Sequence, residues 1–140
     1  MVTPEQIIYQ QPAEKLIVET LEGRITVLPH HTPLVAVLKP GEVRITEITK
    51  EKGSKERLMA VSEGVIEIRN NEVRLLVQTA ERVEELNQEK ILKAKKAAEE
   101  MMEKIKKSGE VDERKFADLE ATLQREIAKL KLFERYRKKK

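Results

Sequence analysis

A chain of 140 residues, 39% hydrophobic and 38% charged with 28 basic against 25 acidic side chains, has room for one domain or two small ones around a modest core. The absence of cysteine excludes disulfides, thiolate metal sites, a cysteine nucleophile and thiol redox chemistry, and fits a reducing compartment. The longest unbroken apolar run, Leu34 to Leu38, is far short of the roughly 20 residues a membrane-spanning helix needs, and the opening MVTPEQ has neither the basic nor the apolar part of a leader, so a soluble, untargeted chain is expected.

From Ile7 to Gln78 the apolar pattern is short, near period two, rich in Val and Ile, and broken by Gly, Pro and Asn, as half-buried strands require. Strands are predicted at Ile7 to Tyr9, Lys15 to Thr20, Arg24 to Leu28, Leu34 to Leu38, Glu42 to Ile48, Arg57 to Ser62, Val65 to Arg69 and Glu72 to Gln78, which together suggest an antiparallel sandwich over residues 1–79. Lys52-Gly53-Ser54 is expected to turn one hairpin. Asn70-Asn71, two residues that tolerate positive φ, is expected to turn another, with Ile66, Ile68, Val73, Leu75 and Val77 inward and Glu67, Arg69 and Arg74 outward. With only four aromatic residues in the chain, Tyr9, Phe116, Phe133 and Tyr136, the interior must be aliphatic.

After Thr79 the composition shifts to Ala, Glu and Lys at helical spacing, with no Pro beyond Pro40. A first helix is predicted from Ala80 to Lys107, with Val83, Leu86, Ala94, Ala97, Met101 and Ile105 as its apolar stripe and Ser108-Gly109 as its stop. A second, capped by Asp112, carries Phe116, Leu119, Leu123, Ile127, Leu130 and Phe133. The short connection makes residues 80–140 an antiparallel helical hairpin, each arm roughly 40 Å long at about 1.5 Å per residue. The overall class is α+β, a sandwich followed by a hairpin. Positive charge gathers where the chain ends: Arg125 to Lys140 hold eight basic and two acidic side chains. Such an end suits an acidic partner, but the scarce aromatics form no base-stacking platform, so nucleic acid is not the expected one.

No phosphate loop, dinucleotide-binding glycine pattern, HExxH or GxSxG element occurs, and the case for an enzyme is correspondingly thin. His30 and His31 are adjacent, point to opposite faces of an extended segment and lack a third ligand at useful spacing, so no metal site is expected. Glu99, Glu100 and Glu103 lie among Lys95, Lys96, Lys104 and Lys106 and read as a solvated, ion-paired helix exterior.

The run Gly23-Arg24-Ile25-Thr26-Val27-Leu28-Pro29-His30-His31-Thr32-Pro33-Leu34, followed by Leu38-Lys39-Pro40-Gly41-Glu42-Val43, resembles the G-x-x-x-x-L-P-x-H-x-P-L and L-x-x-G-x-V pattern of the epsilon subunit of bacterial rotary (F-type) ATP synthase. A second stretch, Ala60 to Ile68 running through Asn71-Glu72-Val73 to Leu76 and Ala80-Glu81, is similar to that family's second hairpin and its exit into helix, and the two-helix tail agrees. The resemblance implies a non-catalytic rotor subunit, peripheral on the cytoplasmic face of the cell membrane and not inserted in it. Its sandwich would link the gamma subunit to the c-ring, and its helices would either fold on the sandwich or extend into the alpha/beta catalytic hexamer and suppress ATP hydrolysis.

On that reading Arg24, His30 and His31 fall on the c-ring side, and Phe133, Arg135, Tyr136, Arg137 and Lys138 form the end that engages the hexamer. No cofactor is required. Some family members bind ATP as a regulatory ligand through an I/L-D-x-x-R-A motif, matched here by Leu86-Asn87-Gln88-Glu89-Lys90-Ile91, so the corresponding positions are Glu81, Asn87, Lys90, Arg125 and Lys129. Asn replaces the family's Asp and Lys its Arg, and a lysine meets phosphate as a point charge without the planar fork, so any affinity should be weaker. Two readings stand beside the rotor subunit: a free-standing adaptor built from a sandwich and a coiled hairpin, and a nucleotide sensor acting alone. The basic end could also be no more than a solubilising tail.

Overall fold

The computed structural model describes residues 1–48, 50, 53–110 and 112–138. Eight strands come first: β1 (Ala13–Thr20), β2 (Gly23–Val27), β3 (Leu34–Leu38), β4 (Gly41–Ile48), β5 (Ser54–Val61), β6 (Gly64–Arg69), β7 (Glu72–Val77) and β8 (Ala80–Arg82). A 3₁₀ turn at Val83–Glu85 leads to α1 (Gln88–Ser108) and α2 (Glu113–Lys138). The strands form one curled sheet in the order β7-β6-β3-β1-β4-β5-β8, with β2 paired to β1, and every strand pair is antiparallel.

The period-two pattern does what it predicts in most strands. Leu16, Val18 and Thr20 of β1, Val43 and Ile45 of β4, Ile66 and Ile68 of β6, and Leu75 and Val77 of β7 face one aliphatic core, with their alternate neighbours outside. β5 breaks the pattern because Met59, Ala60 and Val61 are all buried: Met59 and Val61 enter the sandwich core, and Ala60 faces the helices. Asn70 (φ 52°) and Asn71 (φ 58°) both adopt the left-handed conformation that a two-residue hairpin turn demands, pairing Arg69 with Glu72. The β4 and β5 strands are likewise a hairpin, Ile48 opposite Ser54; of the turn expected at Lys52-Gly53-Ser54, Lys52 lies outside the described residues.

Gly64 is required by proximity. A Cβ there would stand 2.1 Å from the Leu76 carbonyl oxygen and 2.9 Å from Val77 Cγ1, so only glycine lets β6 meet β7 at this point. The adjoining corner is tied by buried Ser62, whose Oγ accepts from the Gln78 and Thr79 amides (2.9 and 3.0 Å) and donates to the Glu63 carbonyl (3.0 Å). That knot directs the chain leaving β7 back along β5.

Two expectations are corrected here. Ile7 to Tyr9 is not a strand: Val2 bridges Ile7 and Leu76, and the segment is held by Tyr9 Oη donating to Glu47 (2.6 Å). The first helix begins at Gln88, not Ala80. Ala80, Glu81 and Arg82 pair with Val61, Ala60 and Met59, giving β5 a partner on its far edge, and Val83 and Leu86 are buried from a 3₁₀ turn and an extended residue. Their spacing of three satisfies a helical pattern without a helix. Asn87 caps α1, its side chain accepting from the Lys90 amide at 3.2 Å, and Gly109 (φ 72°) closes it. Asp112 caps α2 as expected, accepting from the Arg114 amide at 3.1 Å. At about 1.5 Å per residue α1 is roughly 32 Å long and α2 roughly 39 Å, so the first arm is shorter than expected.

The α1 stripe is also rotated from the expected one. Ile91 and Ala98 are buried, Ala94, Met102 and Ile105 half-buried, while Ala97 and Met101 face solvent. Across the hairpin turn Lys106 Nζ sits 5.7 Å from the Phe116 ring centroid. The second arm, α2, is the bridge: it packs against α1 on one side and against β4, β5 and the 3₁₀ turn on the other.

Candidate functional site

The junction between α2 and the sheet gathers six of the residues that the sequence singled out: Glu81, Arg125, Lys129, Phe133, Arg135 and Tyr136. Its floor is apolar. Ala60, Val83, Leu86, Ile91 and Leu132 are buried together, with Leu58, Leu130, Phe133 and Tyr136 packed around them. Leu132, at 1% exposure, is the fully buried large side chain that α2 contributes. The face of α2 that makes this contact runs Arg125, Lys129, Leu132, Tyr136, spaced by four, three and four, which keeps the four side chains on one stripe.

Charges frame this floor. Arg125 grips Glu63 at the β5–β6 corner with two hydrogen bonds, Nε to Oε2 at 3.0 Å and Nη2 to Oε1. The Arg125 hydrogen bond holds the Glu63 carboxyl below the usual carboxylate range against the pull of burial, and Glu63 in turn raises the guanidinium. Lys129 Nζ donates to Glu81 of β8 (2.9 Å) and to buried Glu126 one turn back (3.2 Å). Burial pulls the Lys129 ammonium down, but the hydrogen bond and charge of Glu81, helped by Glu126, outweigh it and leave its pKa above the ordinary lysine value. Arg135 donates to Glu42 at the start of β4, a carboxylate whose side chain is 8% exposed and which also takes a hydrogen bond from Arg44 Nη2 at 3.2 Å.

The positions matched to the ATP motif are therefore only partly assembled. Glu81, Arg125 and Lys129 meet at the junction, but both cations already hold carboxylates; Asn87 spends its side-chain oxygen on the α1 cap, and Lys90 is exposed. Of the end assigned to the hexamer, Phe133 and Tyr136 pack into the junction, Arg135 is paired with Glu42, and Arg137 and Lys138 are exposed. Lys139 and Lys140 of the basic run lie outside the described residues.

Arg24, His30 and His31 do not form one patch. Arg24 is the second residue of β2, beside the β1–β2 turn, its Nε on Glu19 at 2.6 Å, while His30 and His31 lie beyond the other end of the strand at Val27. His30 (φ 63°) donates its amide to the Asn71 side chain at 2.7 Å, and His31 Nδ1 lies 2.7 Å from the Thr32 carbonyl. Among the described residues no group of three or more His, Cys, Asp or Glu side chains is placed to hold a metal ion. An open groove of about 780 Å³ runs between β2, β7 and the N-terminal segment, lined by residues such as Val2, Ile7, Val27, Leu28 and Leu76, and none of the candidate ATP positions reaches it.

Glu42, Glu63, Glu126 and Leu132 were not singled out from the sequence. The α2 stripe through Arg125, Lys129 and Leu132 was the available signal for one of them; the glutamates, on β4, in the β5–β6 corner and on α2, look like any outward polar position.

Taken together, this is an α+β protein whose working junction is a helical arm laid on the outer face of an antiparallel sandwich. Residues 1–83 match the family described as ATP synthase, Delta/Epsilon chain, beta-sandwich domain. The ATP synthase epsilon chain of Alkalilimnicola ehrlichii is 34% identical over 139 residues, covering 99% of this chain and 93% of that one. The epsilon chain of Brevibacillus brevis is 40% identical over 102 residues, 73% of this chain and 74% of its own. A chain in the cryo-EM structure of Euglena gracilis mitochondrial ATP synthase, OSCP/F1/c-ring, superposes with a TM-score of 0.67 at 27% identity, covering 90% of this chain and 73% of that one. The chain belongs to the ATP synthase epsilon-chain family, and so is a subunit of an enzyme complex. No helix among the described residues is long and apolar enough to cross a membrane.

Proposed function

We propose that the chain is a non-catalytic central-stalk subunit, peripheral on the cytoplasmic membrane face, that links gamma to the c-ring through its sandwich and restrains ATP hydrolysis in the alpha/beta hexamer through its helices. The observation that carries this reading is the way the hairpin is held. α2, with Ile91 of α1 beside it, bridges the hairpin to the sheet through a small apolar floor and a frame of solvent-accessible ion pairs. An element held so lightly is suited to two resting places, because contacts of a few kcal/mol decide between them.

Arg24 and the His30–His31 loop, which stand at opposite ends of β2, are proposed for the c-ring side. Phe133, Arg135, Tyr136, Arg137 and Lys138 remain the end offered to the hexamer once α2 lifts. ATP at Glu81, Asn87, Lys90, Arg125 and Lys129 would compete with Glu63 and Glu81 for the two cations, which supports weak regulatory binding at most; amide NMR during an ATP titration tests it.

The decisive test of the main reading is truncation in the assembled enzyme. Since residues 80–86 belong to the sheet and the junction, the cut is placed after Leu86. Removal of residues 87–140 should leave co-purification with gamma intact and raise ATP hydrolysis. Unchanged hydrolysis refutes the inhibitory role, and failure of the full chain to co-purify with gamma refutes the rotor role in favour of a free-standing adaptor.

A further inference from the structure

The ion pairs across the junction share a direction. In each, the carboxylate belongs to the sandwich and the cation to α2: Glu63 with Arg125, Glu81 with Lys129, Glu42 with Arg135. The three glutamates come from separate elements, the β5–β6 corner, β8 and β4, so only the folded sandwich brings them to one face. The cations they occupy are among the charges a released α2 would present to an acidic protein surface, and Arg135 lies within the end assigned to the hexamer.

We propose that Glu42, Glu63 and Glu81 form an electrostatic latch that stands in for an acidic partner surface, masks the cations of α2, and sets how often the hairpin leaves the sandwich. The inference deepens the proposed function and rests on the reading that the hairpin has a second resting place. The latch is neither sealed nor fully wet. Side-chain exposures are 25% and 38% for Arg125 and Glu63, 16% and 40% for Lys129 and Glu81, and 46% and 8% for Arg135 and Glu42. Partly exposed pairs of this kind are individually weak and are screened by salt, whereas the apolar floor is not. Salt should therefore release the hairpin by acting on the frame alone. Loss of one member leaves its partner differently placed: Glu42 retains Arg44, but Glu63 and Glu81 have no second cation among the ion pairs of the described residues.

The chain has no cysteine, so two introduced at exposed positions, Glu72→Cys on β7 and Glu120→Cys on α2, accept a pair of spin labels without competition. Distances between them are measured in the full chain by pulsed electron spin resonance, so the readout does not depend on hydrolysis or assembly. Between about 20 mM and about 500 mM monovalent salt the screening length falls from roughly 20 Å to roughly 4 Å. The ratio of released to docked hairpin should then rise roughly ten-fold, as three weak pairs are lost together. The triple variant Glu42→Gln, Glu63→Gln, Glu81→Gln should show this roughly ten-fold higher ratio already at about 20 mM salt and lose most of the salt dependence.

Arg125→Glu alone should release the hairpin, and the exchanged pair Arg125→Glu with Glu63→Arg should dock it again and restore the salt response, which a packing role for either side chain would not do. A salt-independent distance in the unaltered chain, a triple variant docked as before, or an exchanged pair that stays released overturns the latch. Circular dichroism of the strands verifies that each variant retains its sandwich. In the assembled enzyme the triple variant should inhibit hydrolysis more strongly than the unaltered chain. If truncation leaves hydrolysis unchanged while the distances respond to salt and charge exchange, the inhibitory reading fails and the latch stands.

Discussion

Leu132→Ala isolates the apolar half of the junction. Leu132 is 1% exposed and sits among Ala60, Val83, Leu86 and Ile91, outside the sandwich core that contains Val18, Val43 and Ile66. The substitution removes three carbons, worth about 2.4 kcal/mol at roughly 0.8 kcal/mol per buried methylene-sized group, and the cavity left behind adds to this where the site cannot collapse. A junction open on one side collapses more readily than a closed core, so a total of about 2–3 kcal/mol is expected, at the low end of the Leu→Ala range. That is roughly a 30- to 150-fold shift in any equilibrium to which docking contributes. Phe133 and Tyr136 supply ring currents to the floor, so the assay is methyl NMR of the full chain. The methyl signals of Ala60, Val83, Leu86 and Ile91 should move toward undocked positions, while those of Val18, Val43 and Ile66 stay in place. Floor methyls that keep their docked shifts, or core methyls that move equally, would refute the division between a stable sandwich and a lightly held arm.

Gly64→Ala should cost on the order of 3 kcal/mol of sandwich stability, because the new Cβ meets the Leu76 carbonyl oxygen and neither strand can retreat without losing pairing; a urea midpoint within error of the unaltered chain would count against the close approach. Asn70→Gly should be neutral or slightly stabilising and Asn70→Val should destabilise by about 1–2 kcal/mol, since φ at this position is 52°; equal midpoints for the two variants would contradict the left-handed turn. Acidification tests Glu63. Its folded pKa is lowered by Arg125, so its contribution to docking is complete above the unbound value of 4.5 and is lost as pH falls through the folded value. The floor methyls should thus keep docked shifts from pH 8 to 5 and leave them only under more acidic conditions; undocking between pH 8 and 5 would assign the latch to another group.

Local periodicity was a good guide wherever an element has one buried face. β1, β4, β6 and β7 each put alternate side chains into the core, and the Asn70-Asn71 turn follows from the conformations those two residues tolerate. Reading failed where an element has two buried faces or where spacing admits two structures. Ala60 looks like an outward position until a helix covers it, and Val83 and Leu86 match a helix although they follow a strand through a 3₁₀ turn. On α2 the apolar stripe from Phe116 to Phe133 was legible from its spacing, whereas the stripe through Arg125, Lys129 and Leu132 that meets the sheet was not, since Leu132 is flanked there by charged side chains.

The pairs at the junction lie beyond any local pattern. Glu81 and Lys129 are 48 residues apart, Glu63 and Arg125 62, Glu42 and Arg135 93. A glutamate on the outer face of a strand reads as solvated whichever cation it later meets, so sequence alone makes the hairpin look weakly anchored. The structure changes the balance of that argument. The apolar floor and the charged frame respond to different perturbations: truncating Leu132 weakens the first at any ionic strength, while salt and charge exchange weaken the second without touching a carbon contact. A lever held by two such independent forces can be biased by an acidic partner competing for α2 without disturbing the sandwich, whose core shares no buried apolar residue with the junction. The division of the chain into a stable part and a movable part therefore resides in this separation of forces, and not in the change from strand to helix between Arg82 and Gln88.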